Sequence, residues 1–308
     1  MGEPAEPDAG QGVAVGVPVG AEDFGLKGPR GWAFRGVGFG AEAGSLVAVE
    51  GPSGSGRTCL LLALTGRMRP SEGHATVGSL RLPKRMAAVR RISALAHVPG
   101  VTDLDPALTV GEHLRERALL RRRFDGSLRG LLRPRAERAA EAEDRVEAAL
   151  SAAGLDLEAL PKGARTAVRD LDRLEAVRLS VALALVGRPR LLGVDDIDLK
   201  LSDAERAEVW ALLKSLTGSG ITIVAVCSEA PEGAVVVSTA PAGAPRARED
   251  AHEAPEPDSD PDSGPDADPD RAPHGDEGDS DEDVNDKAVV DKDKDKETAD
   301  ALAQARRA

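Results

Sequence analysis

Residues 51–58 read Gly51-Pro52-Ser53-Gly54-Ser55-Gly56-Arg57-Thr58, a spacing suited to wrapping phosphate. Closely set glycines let successive backbone N–H groups curl around phosphate oxygens, and a helix opening at the end of the loop adds partial positive charge. Arg57 stands where a cation, ordinarily lysine, reaches the β- and γ-phosphates, and Thr58 offers a hydroxyl to Mg²⁺. A loop of this kind needs a partner carboxylate at the end of a neighbouring strand to hold the metal. Asp195, which closes the apolar run Arg190–Val194, answers that need. Asp196 follows it into the same crevice, either to activate water or only to add negative charge.

The elements that must position these groups are legible on both sides of the loop. Ser45-Leu46-Val47-Ala48-Val49 is short and apolar, as a buried strand should be, and Cys59–Leu64 suits a buried helix. From 32 to 50, and again from 75 to 98, short apolar stretches predict strands, the second set ending in Ile92–His97. Thr109-Val110-Gly111-Glu112 and Ser202-Asp203-Ala204-Glu205 fit capping boxes that open helices, the second running through Leu216. Ile221–Cys227 is a continuous β-branched run, expected of a strand buried on both faces. Alternating strands and helices around a phosphate loop predict an α/β fold of the P-loop NTPase type. Its core is a mostly parallel sheet, with an inserted helical subdomain over about 109–187.

The chain has 308 residues and a formal charge of −13, with 40 basic and 53 acidic side chains. Nine of the basic and 22 of the acidic residues lie in 244–308, which leaves 31 of each in 1–243. The acidity therefore belongs to the tail, whose Asp/Pro-rich composition cannot repay the entropy of ordering and predicts disorder. Residues 1–21 read as a flexible start and 22–243 as one domain. Cys59 and Cys227 fit reduced core residues of a cytoplasmic protein better than a disulfide. No apolar run approaches the ~20 residues that span a bilayer, and no signal-peptide pattern opens the chain.

Taken in order, Gly51–Thr58, His97-Val98-Pro99-Gly100, Leu108–Leu114 and Gly187–Asp196 resemble the motifs of an ATP-binding cassette (ABC) ATPase subunit over roughly 22–240. The resemblance implies ATP and Mg²⁺ as ligands, with Thr58 and Asp195 at the metal and Asp196 and His97 at the catalytic positions. It also implies a head-to-tail dimer, as a homodimer or with an intact ABC ATPase subunit. The dimer would drive a transmembrane subunit from the inner, cytoplasmic face of the cell membrane.

The departures from that family fall on the chemistry. Arg57 replaces lysine, His97 the glutamine of the Q-loop, Asp196 a glutamate, Ser228 the switch histidine and Ser202 the aspartate of the D-loop. The signature segment, normally Leu-Ser-Gly-Gly-Gln, aligns with Leu171-Asp172-Arg173-Leu174-Glu175. Two acids and two bulky side chains thus stand where a bare helix end should approach phosphate. These changes predict nucleotide binding with weak hydrolysis by the chain alone, or an ATP-sensing regulator with the same fold.

Residues 115–138 carry nine arginines, a solvated helix face or a face toward anionic lipid or a membrane partner. Nucleic acid is disfavoured as a partner. Only six aromatic residues occur and none is tyrosine, so stacking platforms are lacking. Phe24 and Trp32 both remain open as the aromatic that stacks on the base.

Overall fold

The computed structural model describes residues 16–124 and 134–240, all within the first of two units, Met1–Ala247. The expected flexibility of 1–15, the acidic tail and Arg129 and Arg133 of the basic run lie outside the described residues.

Five short segments form an all-parallel sheet in the order β6-β7-β8-β3-β9. They are β3 (Leu46–Glu50), β6 (Ser93–Ala96), β7 (Leu191–Val194), β8 (Thr222–Val226) and β9 (Val235–Ser238). Every residue of β6, β7 and β8 is buried, which is why these strands read as continuous apolar runs. Alternate side chains then serve two cores. Ala48, Leu192, Ile223 and Ala225 face one, while Val47, Val49, Leu191 and Val224 face the other.

The second core is closed by α1 (Arg57–Leu64) and by an antiparallel sheet of order β2-β1-β4-β5. Its strands are β1 (Val19–Gly28), β2 (Gly31–Ala41), β4 (Glu72–Val77) and β5 (Leu80–Leu82). The first core is closed by α5 (Arg173–Leu185), α6 (Asp203–Gly218) and the helical part, which includes α3 (Val110–Phe124) and α4 (Arg135–Ala153). The α/β class, the parallel sheet and the helical insertion therefore stand as the sequence predicts. Both expected capping boxes form: Glu112 N–H donates to Thr109 Oγ1 (3.2 Å) and Glu205 N–H to Ser202 Oγ (3.3 Å). No helix among the described residues is long and apolar enough to cross a membrane.

Three local expectations differ. Strands were expected throughout 75–98, but α2 (Met86–Ile92) interrupts them, because Val89 and Ile92, three residues apart, share one face on the second core. The helical stretch to 187 is broken after α4 by Gly154, left-handed at φ +64°, and continues as two 3-10 turns, Gly163–Arg165 and Val168–Asp170. Finally, order begins earlier than residue 22. Val17 and Val19 are each 1% exposed, because Thr222 ties this segment to the parallel sheet. Its Oγ1 donates to Val17 O (2.7 Å) and accepts from Val17 N–H (3.0 Å) and Gly44 N–H (2.9 Å).

Candidate functional site

The 51–58 loop joins the end of β3 to the start of α1, at the carboxyl edge of the parallel sheet. Glycine is required at its last turn. Gly56 sits at φ +85°, and a Cβ there would lie 2.1 Å from Ala33 O of β2. Pro52, Ser53 and Gly54 form the exposed outer turn, with Ser55 N–H donating to Pro52 O. Ser55 Oγ and Thr239 Oγ1, 2.6 Å apart, share a hydrogen bond, so the segment after β9 braces the loop from below.

Thr58, in the first turn of α1, donates from Oγ1 to Asp195 Oδ2 at 2.7 Å. Asp195 is 1% exposed, and its second oxygen accepts the Asp196 amide (3.1 Å). Burial pushes the Asp195 carboxyl upward and the Asp196 carboxylate adds to that. The Thr58 hydroxyl, the Asp196 amide and the Arg57 guanidinium pull in the opposite direction without cancelling it. A buried carboxylate with a hydroxyl oxygen beside it and too little positive charge around it suits a hard divalent cation. The glycine cradle and this oxygen pair thus fit Mg²⁺ and a phosphate ligand.

Arg57 Nη1 donates to the carbonyl of Cys227 (2.9 Å), just past β8, and Nη2 lies 3.6 Å from Asp196 Oδ1. Cys227 is buried and Cys59 half-buried; both are free thiols, and burial pushes the Cys227 thiol up to about 12. Asp196 has φ +43° and His97, at the end of neighbouring β6, has φ +51°. Two non-glycine residues in this region on adjacent strand ends mark stored backbone strain, which commonly clusters at functional sites. His97 is held by its backbone N–H, which donates to Ser180 Oγ of α5 at 2.6 Å.

Burial, reinforced by the Arg173 guanidinium and opposed by the Asp196 and Asp103 carboxylates, lowers the His97 pKa from 6.5 to about 4. The folded state therefore refuses a proton that the unfolded chain accepts below 6.5. The corresponding stability is complete above that value and is lost as the pH falls toward 4. Between pH 7.5 and 5 the loss should be about 2 kcal/mol more in the parent than in His97→Gln. Urea unfolding of both proteins at the two pH values measures it.

The signature-like segment has a simple structural account. Asp172 caps α5: its carboxylate accepts Glu175 N–H (2.6 Å) while Glu175 reaches back to Asp172 N–H (2.9 Å). The helix end that would face a partner's phosphate is thus closed by two carboxylates of its own. Ser228 has its N–H bonded to Asp198 Oδ2 (2.7 Å), and Ser202 caps α6.

Phe24 is fully buried against Phe34, which removes it as a base platform. Trp32 is 37% exposed, with the Arg35 guanidinium 4.6 Å from its ring centre, and its neighbour Ala33 touches Gly56. From the basic run, Arg117 and Arg121 point inward rather than to solvent. Arg117 Nε donates to Leu183 O (2.9 Å) and Arg121 Nη2 to Gly187 O (2.7 Å), the last carbonyls of α5 and its continuation. Beside the strand end bearing His97, the 101–104 segment, α3 and α5 enclose a cleft of about 340 Å³. Val101 and Leu120 stand exposed among its lining residues.

Sequence reasoning missed Ser180, Thr239, Asp198 and Glu50, whose Oε1 accepts the Ala230 amide. Only the position of Glu50, closing β3 directly before the loop, offered a local signal.

Comparison with known proteins bears on the family and the fold. Residues 34–198 match the ABC transporter family model. The Nod factor export ATP-binding protein I of Cupriavidus pinatubonensis is 34% identical over 181 residues, which cover 59% of this chain and 49% of that protein. The cytochrome c biogenesis ATP-binding export protein CcmA of the same organism is 36% identical over 109 residues, 35% of this chain and 47% of that one. The chain thus spans about half the length of these curated relatives. Among solved structures, cbiO1 from Clostridium perfringens, part of the ABC transporter complex cbiONQ, superposes with a TM-score of 0.55 at 19% identity, covering 68% of this chain and 78% of its own. A bacterial Atm1-family ABC exporter with ATP bound gives 0.52 at 22% identity, covering 73% and 36%. Those structural likenesses carry the fold alone, whereas the family match extends over more than half of the chain: the protein belongs to the ABC transporter ATP-binding family.

Proposed function

We propose that this chain is the ATP-binding subunit of an ABC-type transporter, holding Mg-ATP at Gly51–Thr58. The observation that carries the reading is the Thr58–Asp195 pair under a glycine cradle, at the carboxyl ends of parallel strands. Thr58 and Asp195 hold the metal, Arg57 supplies the loop cation, Asp196 and His97 stand at the reacting end, and Trp32 offers the base its platform. The bound metal neutralises phosphate charge; the chain's own groups orient and enclose it. We assign the ATP-binding domain to 22–243, extended back to Val17, which Thr222 ties to the parallel sheet.

Hydrolysis by the isolated chain is weak. Loss of a single positioned donor at such a centre commonly costs about 10²–10³ in rate, and α5 begins with carboxylates instead of free donors. A dimer with an intact ABC ATPase subunit supplies what this helix end withholds. The family places the membrane subunit beside the helical part, and the cleft edged by Val101 and Leu120, with Asp103, Glu116 and Arg117 also in its lining, offers that partner a mixed polar and apolar seat at the inner face of the cell membrane. The capped α5 also favours a second reading, a non-hydrolysing ATP sensor on the same fold.

Calorimetry with Mg-ATP on the full chain, with phosphate release followed in the same sample, tests the site that both readings share. Binding that falls at least ~100-fold in Asp195→Asn, with little release, supports that site, and release that rises on adding an intact ABC ATPase subunit favours the transporter subunit over the sensor. No binding removes the proposal. Brisk release by the chain alone would show that the capped α5 does not limit turnover.

A further inference from the structure

Three arginines gather at the amino edge of the parallel sheet, at the end of α1 opposite to the glycine loop. Arg67, just past that helix, donates from Nη1 to Thr65 O (2.8 Å) and Ser93 Oγ (3.0 Å), and from Nη2 to Ser93 O (3.4 Å). Ser93 opens β6. Arg90 of α2 donates from Nη1 to Gly66 O (2.7 Å), the carbonyl next to that of Thr65. Arg117 of α3, its Nε on Leu183 O (2.9 Å), stands within electrostatic reach of Arg67. Every partner these three hold is a carbonyl or a hydroxyl, and among the described residues no carboxylate pairs with any of them.

Three positive charges therefore face little that balances them. The carboxyl ends of α1 and α5, from which Thr65, Gly66 and Leu183 come, supply about half a negative charge each. Residues 67–91 hold seven Lys or Arg, Arg67 and Arg90 among them, against one acid, Glu72, which Arg35 already binds. Burial, then the Arg90 and Arg117 guanidiniums, pull the Arg67 pKa from 12.5 down to about 10, so it stays charged at neutral pH among like charges. Arg90 and Arg117 each commit one N–H of the five a guanidinium offers. Arg90 is exposed and the other two are half-buried, so a solute can reach the cluster.

We propose that Arg67, Arg90 and Arg117 form a second anion site, which takes a phosphate group. A carboxylate brings one charge and two oxygens. A phosphate brings up to two charges and enough oxygens to bridge guanidinium forks from three elements. Once filled, the site ties α3 of the helical part to the segments that end α1 and open β6. It does not rest on the nucleotide reading, because α1, eight residues and about 12 Å long, separates it from the loop.

The test follows the arginine Nε–H signals of the full chain by NMR as inorganic phosphate replaces chloride at constant ionic strength. The Arg67 and Arg117 signals should move with a Kd of about 1 mM, and Arg90→Gln should weaken that binding about tenfold. Thr58→Ala, in the glycine loop, should leave it unchanged. Should Arg90→Gln fold poorly, Arg117→Gln, on a different element, must show the same loss. A second arm sediments the full chain with vesicles of phosphatidic acid in phosphatidylcholine. Sedimentation that Arg90→Gln abolishes assigns the phosphate to a lipid head, and signal shifts without sedimentation assign it to a free phosphate. Neither shift nor sedimentation, shifts indifferent to both arginine variants, or shifts lost in Thr58→Ala overturn the site.

Discussion

Gly56→Ala will lower the unfolding free energy by about 3 kcal/mol and abolish nucleotide binding together with it. Two costs coincide at this residue. Its φ of +85° is a conformation that an L side chain adopts only with strain, and the added carbon would lie 2.1 Å from a backbone oxygen of β2. Neither partner yields cheaply. Ala33 lies in a strand paired to β1, and Gly56 is the residue from which α1 starts, with Leu60 N–H bonded to its carbonyl (2.8 Å). Relief must come from lifting the loop away from β2, which destroys the cradle. Chemical denaturation of parent and variant, with calorimetry in parallel, checks both halves. A variant that unfolds like the parent but still loses nucleotide would place the strain in the bound state instead.

Thr222→Val removes a similar amount, about 3 kcal/mol, far from any phosphate. A hydroxyl has one proton and two lone pairs, and Thr222 commits all three, to Val17 O, Val17 N–H and Gly44 N–H. Valine keeps the shape and leaves two donors and an acceptor without partners in a place that is 0% exposed. Thr222→Ser restores the bonds and should recover most of the loss. The readout is the urea midpoint at constant m-value. A valine variant that unfolds at the parent's midpoint would show that these three hydrogen bonds contribute nothing to stability.

These two residues also show what the sequence discloses. The phosphate loop was readable because its requirement is local: glycines at fixed offsets between a buried strand and a buried helix. Asp195 was readable because a strand ended on it, and the capping boxes because their partners stand three residues apart. Thr222 looked like any β-branched strand residue. Its importance lies in amides 178 and 205 positions away, brought to it only by the closed sheet. Ser180 was an anonymous polar residue in an apolar helix until the fold placed it on the backbone of His97. The fork of Arg57 was legible as a cation and illegible as a bridge, since both its partners come from distant strands. Short elements failed for a different reason: the seven residues of α2 carry too few turns for their period to stand out against neighbouring strands.

The inward arginines of α3 have a consequence for how the molecule opens. Arg117 and Arg121 grip the carboxyl end of α5, and Ser180, earlier on that helix, holds the amide of His97. These bonds run in series through one helix, so slow hydrogen exchange would report them as a single cooperative unit. The His97 amide then gains or loses protection in step with α3, and a load on the outer helices is felt at the strand end beside Asp196.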